Sequence, residues 1–141
     1  MMQPIQLGPF TLGATGATMN IAPTLEQFAM PLEFSLYTQR YSPWWIGDLV
    51  NWAEGRFGDD AQQALPNESF SCGLIERSRS VAAGVKLSIR RPELSFSHHR
   101  EVACLSQALQ QQALAYAVER NLTSGELRKH AKMLRLQDTM Q

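Results

Sequence analysis

The spacing of apolar residues predicts a mostly helical chain. Leu25, Phe28, Ala29, Leu32 and Leu36 return every three or four positions, which places them on one helical stripe. Thr24 and Gln27 ahead of them have capping-box spacing. Pro31 interrupts this run and predicts a kink or an early end, since proline lacks an N–H and crowds the preceding turn. Ser42-Pro43 reads as a second start, with serine as N-cap and proline in the first helical position. The helix it opens carries Trp45, Leu49, Trp52 and Ala53 on its inward face, with Ile46 and Val50 beside them, and stops at Gly58. Asp59 or Asp60 begins a short helix to Leu65, which Pro66 ends, and residues 67–70 form a turn.

The next predicted helix spans Ser71 to Leu87, with Leu74, Ile75, Ser78, Val81, Ala82 and Val85 inward, until Arg90-Arg91-Pro92 breaks it. Ser97 is the expected cap of a helix containing Val102 and Leu105. Another follows from Gln107 to Arg120, with Leu109, Ala113, Tyr116 and Ala117 inward. Thr123 and Glu126 repeat the capping-box spacing and open a last helix through Lys132 or beyond. Residues 133–141 are expected to fray as a tail. Residues 1–22 read differently. Ile5, Leu7, Phe10 and Leu12 sit among Gly8, Gly13, Gly16 and threonines, which fits a short β-hairpin or an extended arm. The expectation is an arm or hairpin over 1–22 and one helical domain over 23–132.

Charge changes this picture more than composition does. The 141 residues have a formal net charge of zero, yet the charges are segregated. Residues 1–70 hold two basic and seven acidic side chains (2 − 7 = −5), and residues 71–141 hold eleven and six (11 − 6 = +5). Such asymmetry points to a polyanion partner, or to acidic and basic halves that attract one another within or between chains. Two cysteines make no disulfide framework. No signal-peptide pattern opens the chain and no apolar run approaches the ~20 residues of a membrane span. A cytoplasmic protein without membrane contact is expected.

The short helix, turn and basic helix over residues 59–87 have the layout of a helix-turn-helix, whose second helix enters the major groove with its N-terminal residues against base edges. Ser71, Cys72, Gly73, Glu76 and Arg77 are the base-reading candidates; arginine can hold guanine through two hydrogen bonds and glutamate can accept one from cytosine. Arg79, Lys86, Arg90, Arg91, His99 and Arg100 are the phosphate candidates.

Other features have plainer readings. Neighbouring His98 and His99 point about 100° apart on a helix, so they do not share a metal ion; one is expected buried near the helix start and the other against phosphate. Helical spacing assigns Trp45 and Trp52 to the core and leaves Trp44 exposed. Asp48 is expected to pair with an arginine of the basic half. Cys72 is expected to be a small buried cysteine. No catalytic group, cofactor or metal is expected.

The segments Pro43-Trp44-Trp45-Ile46-Gly47-Asp48 through Phe57-Gly58, Arg91-Pro92-Glu93-Leu94-Ser95-Phe96-Ser97-His98-His99-Arg100-Glu101-Val102-Ala103-Cys104-Leu105, and Asn121 to Arg128 resemble small bacterial regulators of the type that activates lincomycin-type antibiotic clusters. The order of basic helix, Leu-Ser-x-x-His and late Ser/Thr-x-x-Glu-Leu helix also resembles the helix-turn-helix core of ParB-type partition proteins. The resemblance covers roughly residues 24–132 and implies a helical DNA-binding regulator without catalysis. Cys72, Gly73 and Leu74 depart from the polar residues such proteins place at the start of the reading helix. The nucleotide-binding segment of ParB proteins is not seen, so nucleotide hydrolysis is not implied. The expected function is transcriptional regulation by a homodimer on duplex DNA. The alternative is an assembly module in which acidic N-terminal and basic C-terminal halves associate between subunits.

Overall fold

A computed structural model describes residues 3–64 and 72–140. The chain is mainly α-helical with a small β-sheet, and divides into two compact units, Met1–Ser42 and Pro43–Gln141. The first unit opens with an antiparallel meander rather than a single hairpin: β1 (Ile5–Leu7), β2 (Phe10–Gly13) and β3 (Gly16–Met19) in the order β1-β2-β3. Gly8, at φ +58°, supplies the left-handed backbone of the first turn, which costs glycine no steric strain. Buried Phe10 lies 4.9 Å from the ring of Phe28. The Thr24 amide donates to Gln27 Oε1 at 2.9 Å, and the 3-10 turn Leu25–Phe28 leads straight into α1 (Ala29–Phe57). Pro31 falls in the first turn of α1, where the missing N–H has no intrahelical acceptor to lose. It therefore does not end the helix, which runs on to Phe57.

Helix α1 also passes through Pro43, so the expected second start at Ser42-Pro43 is corrected. Gly58, at φ +60°, ends it. A 3-10 segment, Gly58–Ala64, stands where an α-helix was expected. Helix α2 (Cys72–Gly84) ends three residues before the expected Leu87. Then come α3 (Phe96–Val102), α4 (Gln107–Arg120) and α5 (Ser124–Thr139). The cap of α3 is Ser95, not Ser97. Ser95 Oγ accepts from the His98 amide, and His98 Nδ1 in turn accepts from the Ser95 amide at 3.2 Å. Helix α5 continues through the expected tail because Leu127, Ala131 and Leu134 extend one buried stripe. Asn121, at φ 53°, closes α4, as a C-terminal left-handed residue does.

The core of the second unit gathers Val81, Val85, Ile89, Leu94, Val102, Leu105, Leu114 and Leu127. Two polar side chains close the ends of its helices. From α4, buried Gln110 donates to the carbonyls of Gly84, Ala103 and Leu105, just past or at the ends of α2 and α3 where carbonyls lack intrahelical donors. Arg90 does the same for α2 from the other side. Its Nη2 donates to Ala82 O and its Nε to Val85 O, both at 3.0 Å. The same guanidinium grips Asp48 of α1 with two bonds, 2.8 and 3.0 Å, and its Cζ sits 4.0 Å over the Trp44 ring.

Trp44 also meets Phe96 and His99 edge-on. The inward face of α1 in this unit is thus Trp44, Gly47, Asp48 and Asn51, whose amide donates to Arg79 O. The expected tryptophan assignment is reversed: Trp45 and Trp52 are exposed. Gly47 decides the matter, because α2 crosses there. A Cβ on Gly47 would clash with the Ser78 carbonyl and lie 2.7 Å from Ala82 Cβ.

Gly47→Ala should therefore destabilise the protein by about 1–3 kcal/mol, despite alanine's better helix propensity, as measured by urea unfolding. Arg90→Ala should cost about 3–5 kcal/mol because it leaves a partly buried Asp48 unpaired. Arg91→Ala, whose partner Glu93 is exposed, should cost under about 1 kcal/mol in the same assay.

Candidate nucleic-acid interface

The inward face of α2, Ser78, Val81 and Ala82, is fixed by the core, which leaves Gly73, Glu76, Arg77, Ser80, Ala83 and Gly84 on the outer face. Two of the base-reading candidates with side chains, Glu76 and Arg77, are thus exposed there, with Gly73 one turn before them. For Cys72 only the backbone position at the start of α2 is described. Ser71, and with it the turn of the expected helix-turn-helix, lies outside the described residues.

At its C-terminal end α2 runs close against α3. A Cβ on Gly84 would come within 3.2 Å of Ala103 O, so the absence of a side chain sets the spacing of the two helices. Between them lies an open groove lined by Arg77, Ser80 and Gly84 on one wall and Arg100, Ala103 and Cys104 on the other. Arg77 and Arg100 are exposed and make no ion pair among the described residues. Arg135 of α5 donates to Cys104 Sγ and adds a third guanidinium beside the groove. The packing of α5 on α3 brings it there, and no local sequence signal announces it. Ser80 was missed too, although it lies one turn beyond Arg77.

The other phosphate candidates sort differently. Lys86 is exposed in the turn after α2. Arg91 pairs with Glu93 at 2.9 Å. Arg79 lies between Glu54 at 3.2 Å and Glu76 at 3.4 Å, so two carboxylates already offset its charge. Arg90 is corrected: its side chain is only 11% exposed and its donors are taken by Asp48, Ala82 and Val85. His99 is corrected as well, because it is fully buried and both ring nitrogens face the protein. Its Nδ1–H donates to Ser95 O at 2.7 Å, while Nε2 accepts from the Arg91 amide at 2.9 Å. His98 takes the opposite tautomer, with Nε2–H donating to Leu122 O at 2.8 Å and Nδ1 accepting from the Ser95 amide. The pair is a bracket holding the 91–95 loop, α3 and the α4–α5 turn together. Among the described residues no three His, Cys, Asp or Glu side chains come together as metal ligands would. Nor is any described helix long and apolar enough to cross a membrane.

The acidic and basic halves meet inside the chain, through Asp48–Arg90 and Glu54–Arg79. Exposed Arg128 of α5 is bound to Glu101 of α3 by two bonds of 3.0 and 3.1 Å, which pushes its pKa further up.

The chain is similar to the transcriptional regulator NovE of Streptomyces niveus, with 36% identity over 91 residues, 64% of this chain and 42% of that protein. It thus spans less than half the length of that relative. No family model matches the chain, and no solved structure does.

Burial holds the His99 imidazolium pKa below its ordinary value of 6.5, helped by the nearby charges of His98 and Arg90 and opposed by the bond to Ser95. The folded state therefore binds protons less readily than the unfolded chain, so stability present above pH 6.5 is lost as pH falls through the folded value. The urea midpoint should decline between about pH 7.5 and about pH 5.5, ahead of the carboxylate range. A flat midpoint over that interval would contradict the buried neutral ring.

Proposed function

We propose that this protein is a DNA-binding transcriptional regulator that applies the outer face of α2 to duplex DNA. The observation that carries the reading is the convergence of Arg77 and Arg100, both exposed and without an ion pair among the described residues, on one groove beside that face. Arg79, Arg90 and Arg91 are bound to carboxylates of the chain, which leaves Arg77 and Arg100 on the groove, with Lys86 nearby, to meet an anion. Duplex DNA offers phosphates on either side of a major groove, and a helix of α2's width fits between them. Arg77 and Glu76 then stand toward base edges, while Arg100, Lys86 and Arg135 stand toward phosphate, where they supply affinity and register without sequence preference. The 3-10 segment before α2 and α2 itself take the two helical places of a helix-turn-helix. Similarity to a protein named as a transcriptional regulator points the same way. We read the protein as a homodimer on paired half-sites, as is usual for such domains. The alternative, association of acidic and basic halves between subunits, loses ground because those halves already pair within one chain.

Electrophoretic shift and fluorescence anisotropy on duplex DNA test this. Binding should weaken steeply with salt. Arg100→Ala should weaken all duplexes alike and lower the salt slope by about 0.9. Arg77→Ala should cost about 1–3 kcal/mol on the preferred site and relax sequence preference. Absence of duplex binding at low salt, with the protein folded, would overturn the reading.

A further inference from the structure

Among the exposed apolar side chains of the second unit, three on α1 fall in line on a face that neither the core nor the groove uses. On the outer side of α1, Trp45, Leu49 and Trp52 are 45%, 61% and 69% exposed. Their spacing of four and three residues keeps them within about 60° of one another around the helix. A single exposed leucine needs no explanation, whereas two tryptophans and a leucine in line form a contiguous apolar patch of the kind that marks an interaction surface. No charged side chain interrupts it. The acids within its span and just beyond turn the other way, Asp48 to Arg90 and Glu54 to Arg79.

We propose that this stripe is a self-association surface, on which a second copy of the chain docks its own α1 in antiparallel orientation. Three features select that occupant. First, the stripe is palindromic. A two-fold axis near Leu49 sets Trp45 against Trp52 of the partner, Trp52 against the partner's Trp45, and the two Leu49 side chains against each other, which is the reciprocity an isologous interface requires. Second, the charges permit it. The patch is neutral, so two copies meet without repulsion, and the nearest cation along the line, Arg56, lies at opposite ends of the pair, about 22 Å from its copy. A phosphate backbone would find no cation within the patch. Third, the area suits it. The exposed parts of these side chains offer roughly 400 Å², about half of what each partner of a standard interface buries, and the flanking Ile46, Ala53 and Arg56 extend the contact. The proposal rests on the dimer of the preceding reading only for its use. The surface itself requires no DNA.

Sedimentation velocity without DNA is the test, over a range of protein concentrations. The wild-type chain should sediment as a dimer. Leu49→Glu, which places two carboxylates at the axis, should raise the dimer dissociation constant by about 100-fold or more, with an unchanged far-ultraviolet circular dichroism spectrum. Leu136→Glu, a control at an exposed leucine on α5, should not. In a background with Cys72→Ser and Cys104→Ser, Leu49→Cys should form a covalent dimer under mild oxidation. Trp45→Cys should do so only when mixed with Trp52→Cys. A monomer at every concentration, a dimer that Leu49→Glu leaves intact, or cross-linking that ignores this pattern would overturn the proposal. A dimer of this kind that binds no duplex would instead overturn the DNA reading alone.

Discussion

The second unit depends on one guanidinium. Arg90 joins α1 to the end of α2 by giving two bonds to Asp48 and two more to carbonyls that α2 cannot satisfy itself. It also covers Trp44, and through that ring reaches Phe96 and His99 at the start of α3. A lysine has neither the flat fork nor enough fixed donors to serve all these partners at once. The geometry is specified from both sides: a mispositioned α1 would strand a carboxylate, and a longer α2 would strand the guanidinium. The end of α2 and the docked face of α1 are thus tied together by the same side chain.

This arrangement divides the basic residues into two populations. Arg90, Arg79, Arg91 and Arg128 are bound to carboxylates of the same chain, whereas Arg77, Arg100 and Lys86 are exposed around the end of α2 and the groove beside it. Net charge hides the division, since the chain sums to zero. The close approach of α2 and α3 at Gly84 brings Arg77 and Arg100 to a common groove although they lie on different helices. A neutral protein can in this way present a locally positive edge without a long basic tract.

Much of this was legible in the residues. The last helix start at Thr123, the bounds of α4, the inward Ser78-Val81-Ala82-Val85 face and the pairing of Asp48 with a basic-half arginine all follow from local spacing and charge. The tryptophans do not. Periodicity finds stripes on α1 but cannot say which faces inward when both carry aromatic residues. Here the more apolar stripe faces out, because only the glycine at 47 lets α2 approach. Ser95 and Ser97 compete for one cap, and the His98 ring decides for Ser95. Sequence reading places one histidine of the 98–99 pair in the interior but does not tell which one, and it misses buried Gln110 altogether. The partners of His99 and Gln110 are backbone groups of chain breaks, which exist only once the helices have ended where they do.

The tie between Asp48 and Arg90 spans 42 residues of chain, and Trp44 waits longer still for Phe96 and His99. During synthesis α1 leaves the ribosome well before any of these partners exists. With elongation at ~5–20 residues per second, the helix stays unsheltered for several seconds, its sheltered and exposed tryptophans equally bare. The long-range tie that makes the folded unit specific also leaves its first helix without that partner until the second unit has been made.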